Sequence, residues 1–141
     1  MKRVLLLTFA AIISTTSCGG SLINECDSSI NNHGSINNVG VKDFAKAIND
    51  TAHVILVDVR TAKEFAEGHI AGAVNIDIKQ PDFEQSSQWL VSDEGVQVAV
   101  YCRSGRRSMQ AAESLSQRGA RVLNLDGGII AWQREGKPIV K

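Results

Sequence analysis

Cysteine is scarce: the chain has three, Cys18, Cys26 and Cys102, in 141 residues. They form no CxxC pair and no Cys/His spacing of the zinc-binding kind, so no metal site is expected. A chain of this length buries enough core to need no disulfide staples. A surplus of charge is also missing. Fifteen Lys and Arg balance fifteen Asp and Glu, which excludes nucleic acid as the main partner, because no basic excess exists to neutralise phosphates. No long apolar run is present either. The stretch VLLLTFAAII, residues 4–13, is shorter than the roughly 20 apolar residues that span a bilayer. What remains is the composition of one ordinary globular domain, 43% hydrophobic and 21% charged, with nothing that calls for a cofactor.

The short apolar run follows Lys2 and Arg3 and leads into STTSCGG. A positive start, an apolar stretch and small residues describe an export signal over residues 1–17. The small residues ending at Cys18 resemble a bacterial lipoprotein signal, although Thr15 stands where that pattern carries leucine. The resemblance implies lipidation of Cys18 and a place in the cell envelope. A plain secretory signal and a periplasmic protein are the alternative. Losing Lys2 and Arg3 would leave the chain slightly acidic, so lipid, rather than a basic patch, would hold it to a membrane. Residues 18–38 are rich in Ser, Asn and Gly without apolar periodicity and read as a flexible tether. The folded domain is expected over residues 39–141.

Within that domain VKDFAKAI carries Val41, Phe44, Ala45 and Ile48 on one helical face. HVILVDV, residues 53–59, is a continuous apolar run of the kind covered on both faces of a sheet. Thr61 and Glu64 form a capping-box pattern and Gly68 a stop, which predicts a helix over residues 62–67. GAVNI reads as a short strand, and DFEQSSQWLVS as a helical face with Phe83, Trp89 and Leu90. VQVAVY is a second buried strand, and Ser108 is placed to cap the helix MQAAESLSQR, which stops at Gly119. RVLNL is a strand and GGIIAWQREG a last helix, with Trp132 in the core beside Ile129. Strands alternating with helices predict an α/β fold, a mostly parallel sheet with helices on both faces. Ligands bind such sheets beyond the carboxyl ends of the strands.

Cys102 stands at such an end. It opens the turn Cys102-Arg103-Ser104-Gly105-Arg106-Arg107 between a buried strand and a helix. Curled at a helix N-terminus, such a turn gathers unpartnered N–H groups into an anion-binding nest. Gly105 gives it freedom to curl. Helix N-termini and guanidinium groups both favour the thiolate, so Cys102 is expected to be a nucleophile in an electropositive, partly exposed bowl suited to a small anion.

Three stretches in order, DVRTAKEFAEGHIAGAVNI, YCRSGRRS and LDGGIIAW, resemble the first signature, the active-site loop and the closing motif of rhodanese-like domains. The resemblance covers residues 39–138 in a single copy. It implies a central five-stranded parallel sheet and a sulfurtransferase. The Cys102 thiolate would attack the outer sulfur of an anionic donor such as thiosulfate, sulfite would leave, and a thiophilic acceptor, cyanide or a thiol, would take the sulfur from the persulfide. The loop amides of Arg103, Ser104, Gly105, Arg106 and Arg107 would hold the persulfide, which needs such donors. Arg103 and Arg106 are the candidates to steer the donor, while Arg107 closes the loop or pairs with an acid. Asp58, Arg60 and Ser108 are supporting candidates, with an Asp58–Arg60 ion pair the favoured role for the first two. His69 is read as a fold-holding core histidine, and His33 and His53 carry no argued role.

Other readings stay open on sequence alone. Cysteine phosphatases and arsenate reductases use Cys-x5-Arg, and here that position is Ser108, which leaves the loop one residue short of a bidentate oxyanion grip. A non-catalytic recruitment module would lack the nucleophile. A tethered thiol-exchange protein would use Cys26 with Cys102, against the plainer reading of Cys26 as incidental.

Overall fold

The computed structural model describes residues 34–92 and 95–141. The signal pattern, Cys18, Cys26, His33 and the tether as far as residue 33 lie outside the described residues. Five strands, β1 (Ile36–Val39), β2 (Val54–Asp58), β3 (Val74–Asn75), β4 (Gln97–Tyr101) and β5 (Arg121–Leu125), make one sheet in the order β1-β5-β4-β2-β3. Every pairing is parallel, with Asp58 opposite Tyr101 where β2 and β4 end together.

Alternation along the strands builds two cores. Val57, Val98, Val100 and Val122 point to one face, where helix α4 (Arg106–Gln117) covers them with Ala111, Ala112 and Leu115. Leu56, Ala99, Tyr101, Leu123 and Leu125 point to the other, under Val41 and Phe44 of α1 (Val41–Ala47) and Ile129 and Trp132 of α5 (Gly128–Arg134). The buried residues of α4 fall at 108, 111, 112 and 115, the spacing of one helical stripe. Trp132 sits edge-on to Phe44 and donates from Nε1 to the Pro138 carbonyl at 2.8 Å. It is a core residue, as its spacing indicates.

The sequence-based reading departs from this fold in three places. Residues 36–38 belong to β1 and not to a tether. Their pattern is weak because β1 is an edge strand with Asn37 and Asn38 exposed. Pairing with β5 holds it, and Asn124 Nδ2 donates to Asn38 Oδ1 at 2.7 Å. The stretch around Trp89 is not one helix but a single turn, α3 (Phe83–Ser86), followed by a 3-10 turn over Gln88–Val91. Phe83 and Leu90 are buried by this break, whereas Trp89 is turned outward and 48% exposed. The break is braced by Ser87 Oγ, which donates to the Phe83 carbonyl and accepts from Arg118. Finally, α4 starts at Arg106, so Ser108 lies inside its first turn. The cap position belongs to Gly105, in the left-handed region at φ 98°.

Candidate active site

β4 delivers Cys102 to the carboxyl edge of the sheet, and α4 leaves from Gly105. Between them the backbone folds over the sulfur. The Gly105 N–H points at Cys102 Sγ, 3.2 Å away, and Ser108 Oγ donates to the Gly105 carbonyl at 3.0 Å. The thiol is 1% exposed, which is deeper than the partly exposed turn expected from sequence. Burial pushes the Cys102 thiol up. The polar groups of Ser108 and the N–H groups of Ser104 and Gly105 outweigh it, so its pKa falls below the usual thiol value. The thiolate is therefore favoured chiefly by the curled backbone and one hydroxyl. Ser108 is buried in the first turn of α4, where it helps favour the thiolate and does not cap the helix.

A second element grips the loop from behind. The Ile129 N–H donates to the Cys102 carbonyl at 2.9 Å, and the Ile130 N–H donates to the Arg103 carbonyl at 3.2 Å. The first residue of α5, Gly128, passes so close that a Cβ there would lie 2.5 Å from the Cys102 carbonyl oxygen and 2.6 Å from Arg103 backbone atoms. The closing motif seen in the sequence thus backs the peptide groups of Cys102 and Arg103.

The three arginines divide. Arg107 makes a two-pronged ion pair with Glu64, Nη1 to Oε2 at 2.8 Å and Nη2 to Oε1 at 2.7 Å. Its guanidinium is committed, so of the expected donor-binding arginines this side chain is the one that instead pairs with an acid. Glu64 also closes the capping box of α2 (Ala62–Glu67), where its N–H binds Thr61 Oγ1 and its carboxylate accepts from Thr61. One carboxylate therefore ties a helix start to the active-site loop across 43 positions of sequence. Arg103 and Arg106 are exposed, and among the described residues neither guanidinium has a hydrogen bond or ion pair. Both face a cavity of about 460 Å³ over the loop, which Ser104, Arg107, Gln110, Ile78 and Lys79 also line. Lys79 went unnoticed in the sequence, since nothing in its neighbours links it to a loop more than twenty residues later.

Asp58 and Arg60 form a buried pair beneath this edge. Arg60 Nη2 reaches Asp58 Oδ2 at 2.6 Å and the Gly68 carbonyl at 2.7 Å, and the guanidinium lies over the Tyr101 ring at 5.8 Å. Asn75 Nδ2 fastens the turn by donating to the carbonyls of Asp58 and Arg60. Among the described residues no hydrogen bond or ion pair joins either side chain to the Cys102 loop. His69 stacks on Phe65 at 3.7 Å, donates from Nδ1 to the Phe65 carbonyl and bridges to Val140 through its backbone, away from the sulfur. The His53 ring meets the Asp50 carboxylate on the surface.

Hydrogen bonds from Arg107 hold the Glu64 carboxyl at about 2, with burial opposing and Thr61 adding to the fall from 4.5. This depression contributes stability that is complete above about 4.5 and lost as pH falls through about 2. Glu64→Gln keeps a residue able to close the capping box but removes the charge. Urea unfolding at a series of pH values should show the variant less stable by about 1 kcal/mol above that window, a value discounted for solvent screening. The difference should vanish below it. A difference independent of pH would contradict the ion pair.

Comparisons with known proteins agree with this geometry. A family model described as "Rhodanese-like domain" matches residues 40–135. A "Sulfurtransferase" of Allochromatium vinosum is 42% identical over 106 residues, covering 74% of this chain and 95% of the relative. A shorter match, "Thiosulfate sulfurtransferase PspE" of Escherichia coli, is 36% identical over 73 residues, 52% of this chain and 68% of the relative. The crystal structure of a rhodanese-related protein from Thermoplasma volcanium superposes with a TM-score of 0.62 at 33% identity, covering 74% of this chain and 97% of that one. A five-stranded parallel sheet, a cysteine cradled by backbone N–H groups at its carboxyl edge and a matched span that takes in every strand from β2 to β5 lead to one assignment: the chain belongs to the rhodanese-like family.

Proposed function

We propose that this chain is a sulfurtransferase that moves a sulfane sulfur from thiosulfate to cyanide or a thiol through a persulfide on Cys102. The observation that carries this reading is Cys102 at the carboxyl end of β4 with the Gly105 N–H pointed at its sulfur from 3.2 Å, in a loop whose polar groups favour the thiolate. In the first half-reaction the Cys102 thiolate donates an electron pair to the outer sulfur of thiosulfate. The bond between the two donor sulfurs breaks, and its pair leaves on sulfite. The three negative charges of the reactants reappear as a persulfide anion and a sulfite dianion. N–H groups already aimed at a thiolate need little rearrangement to serve a persulfide anion. Arg103 and Arg106 supply free positive charge for the incoming dianion. In the second half-reaction the acceptor attacks the outer persulfide sulfur and the Cys102 thiolate is released. Sulfurtransferase relatives, one of them named for thiosulfate, support the same chemistry.

The test is the mass of the Cys102 peptide of the full chain after incubation with thiosulfate, without reductant. Gain of one sulfur atom, removed by cyanide, is the expected result. An unchanged, still alkylatable thiol would overturn thiosulfate as donor and favour a recruitment or thiol-exchange role. The signal pattern ending at Cys18 supports placing the protein in the bacterial cell envelope on a lipid anchor. Labelled palmitate should enter the wild-type chain in cells and be lost in Cys18→Ser. Equal labelling of both would sink the anchor.

A further inference from the structure

We infer that Lys79, on the loop between β3 and α3, is a donor-binding residue and joins Arg103 and Arg106 as a third free cation around the cavity beside the Cys102 loop. This role rests on the sulfurtransferase reading for the identity of the anion. The active-site loop offers three arginines, but Glu64 occupies the Arg107 guanidinium with both carboxylate oxygens. Two free guanidinium groups, Arg103 and Arg106, then remain among the residues that line the cavity. Lys79 lines the same cavity from a separate segment, beside Ile78.

The placement of Lys79 is built and not incidental. Its N–H donates to Asp77 Oδ1 at 2.9 Å, which closes a tight turn, and the preceding Ile78 N–H donates to the Val59 carbonyl at 3.3 Å, which ties that turn to the sheet. The carboxylate of Asp77 is occupied by this turn and by Gln80. The Lys79 ammonium is exposed, and among the described residues it has no hydrogen-bond or ion-pair partner. An ammonium is a mobile point charge with three donors, so it can follow an anion into the bowl while the guanidinium groups hold a flatter geometry. At about 460 Å³ the cavity has the size of a small-molecule site, ample for a dianion contacted from two sides. The arrangement makes donor recognition depend on two segments of chain, and it predicts a preference for dianionic over monoanionic donors.

Two readouts test this on the full chain. The first does not require turnover. Iodoacetate is an anion and iodoacetamide is neutral, and both alkylate the Cys102 thiolate with loss of iodide. In Lys79→Ala the ratio of their rates at the Cys102 peptide should fall roughly threefold to fivefold at low ionic strength, with the gap narrowing as salt is added. Lys79→Arg should keep the wild-type ratio. The second readout is transfer. Lys79→Ala should raise KM for thiosulfate about threefold to tenfold with kcat nearly unchanged. It should affect methanethiosulfonate, a monoanion, less. Lys42→Ala, on α1 across the sheet, serves as the control for net charge. An unchanged alkylation ratio in Lys79→Ala, or an equal change in Lys42→Ala, would overturn the role of Lys79. Absence of transfer in the wild type with the ratio still sensitive to Lys79 would leave the anion site standing and reject thiosulfate alone.

Discussion

Replacing Cys102 with serine should abolish sulfur transfer, by about a thousandfold or more, while leaving the fold in place. A serine hydroxyl is not ionised near neutral pH and forms no persulfide, so nothing in the bowl can take the sulfane sulfur. Removing a covalent nucleophile typically has effects of this size or larger. The fold should tolerate the exchange because the site is made of donors. The Gly105 N–H that points at the sulfur can be satisfied by a hydroxyl oxygen as well. Thermal unfolding should shift by no more than about 5 °C. Steady-state transfer from thiosulfate to cyanide and a melting curve check both halves. Residual transfer near the wild-type rate would show that the sulfur travels by another route, and Cys18 and Cys26 would become the residues to test.

The second large effect lies behind the loop. Gly128→Ala should destabilise the protein by about 2–4 kcal/mol, in the upper range for a single substitution, and reduce transfer even in the folded fraction. Two penalties act together. Gly128 has φ 59°, where a side chain costs about 1–2 kcal/mol. Its Cβ would also meet the Cys102 carbonyl oxygen at 2.5 Å, and the obstacle is rigid backbone of the nucleophile itself. Gly136 separates the two terms. It has a similar φ of 70°, but nothing within 4 Å of its would-be Cβ. Gly136→Ala should therefore show the conformational cost of about 1 kcal/mol with transfer untouched. Equal behaviour of the two variants in urea unfolding and activity would mean that the approach of α5 to the Cys102 peptide does not position the sulfur.

The parts of this molecule that were legible in sequence are those encoded by neighbours in the chain. The runs that became β2 and β4 are apolar because both faces are covered, and that shows without knowing what covers them. Thr61 and Glu64 announce a helix start three residues apart. Cys102 is conspicuous because a strand, a glycine and a helix surround it within a few positions. What escaped depends on partners far away. β1 has two outward asparagines and acquires its identity only by lying against β5. Arg107 looks like its neighbours until Glu64, 43 residues earlier, claims it. Lys79 becomes part of the site through a turn fixed to Val59. Gly128 sits in a recognisable motif, yet only the packed structure shows that its missing side chain makes room for the carbonyls of Cys102 and Arg103. Sequence also placed the thiol nearer the surface than it is, because exposure belongs to the walls of the bowl and not to the turn.

The depth of Cys102 bears on traffic. Cys102 is 1% exposed, so slender reagents should reach its sulfur more readily than bulky thiols and disulfides. Under the proposed mechanism a persulfide would change this, because its outer sulfur would stand about 2 Å beyond the first. The resting state would then admit small donors, and a loaded state would present its sulfur to larger acceptors. Order of addition would follow from reach alone, without any moving lid. A bulky maleimide should react with Cys102 far more slowly than iodoacetamide does, and loading with sulfur should narrow that gap.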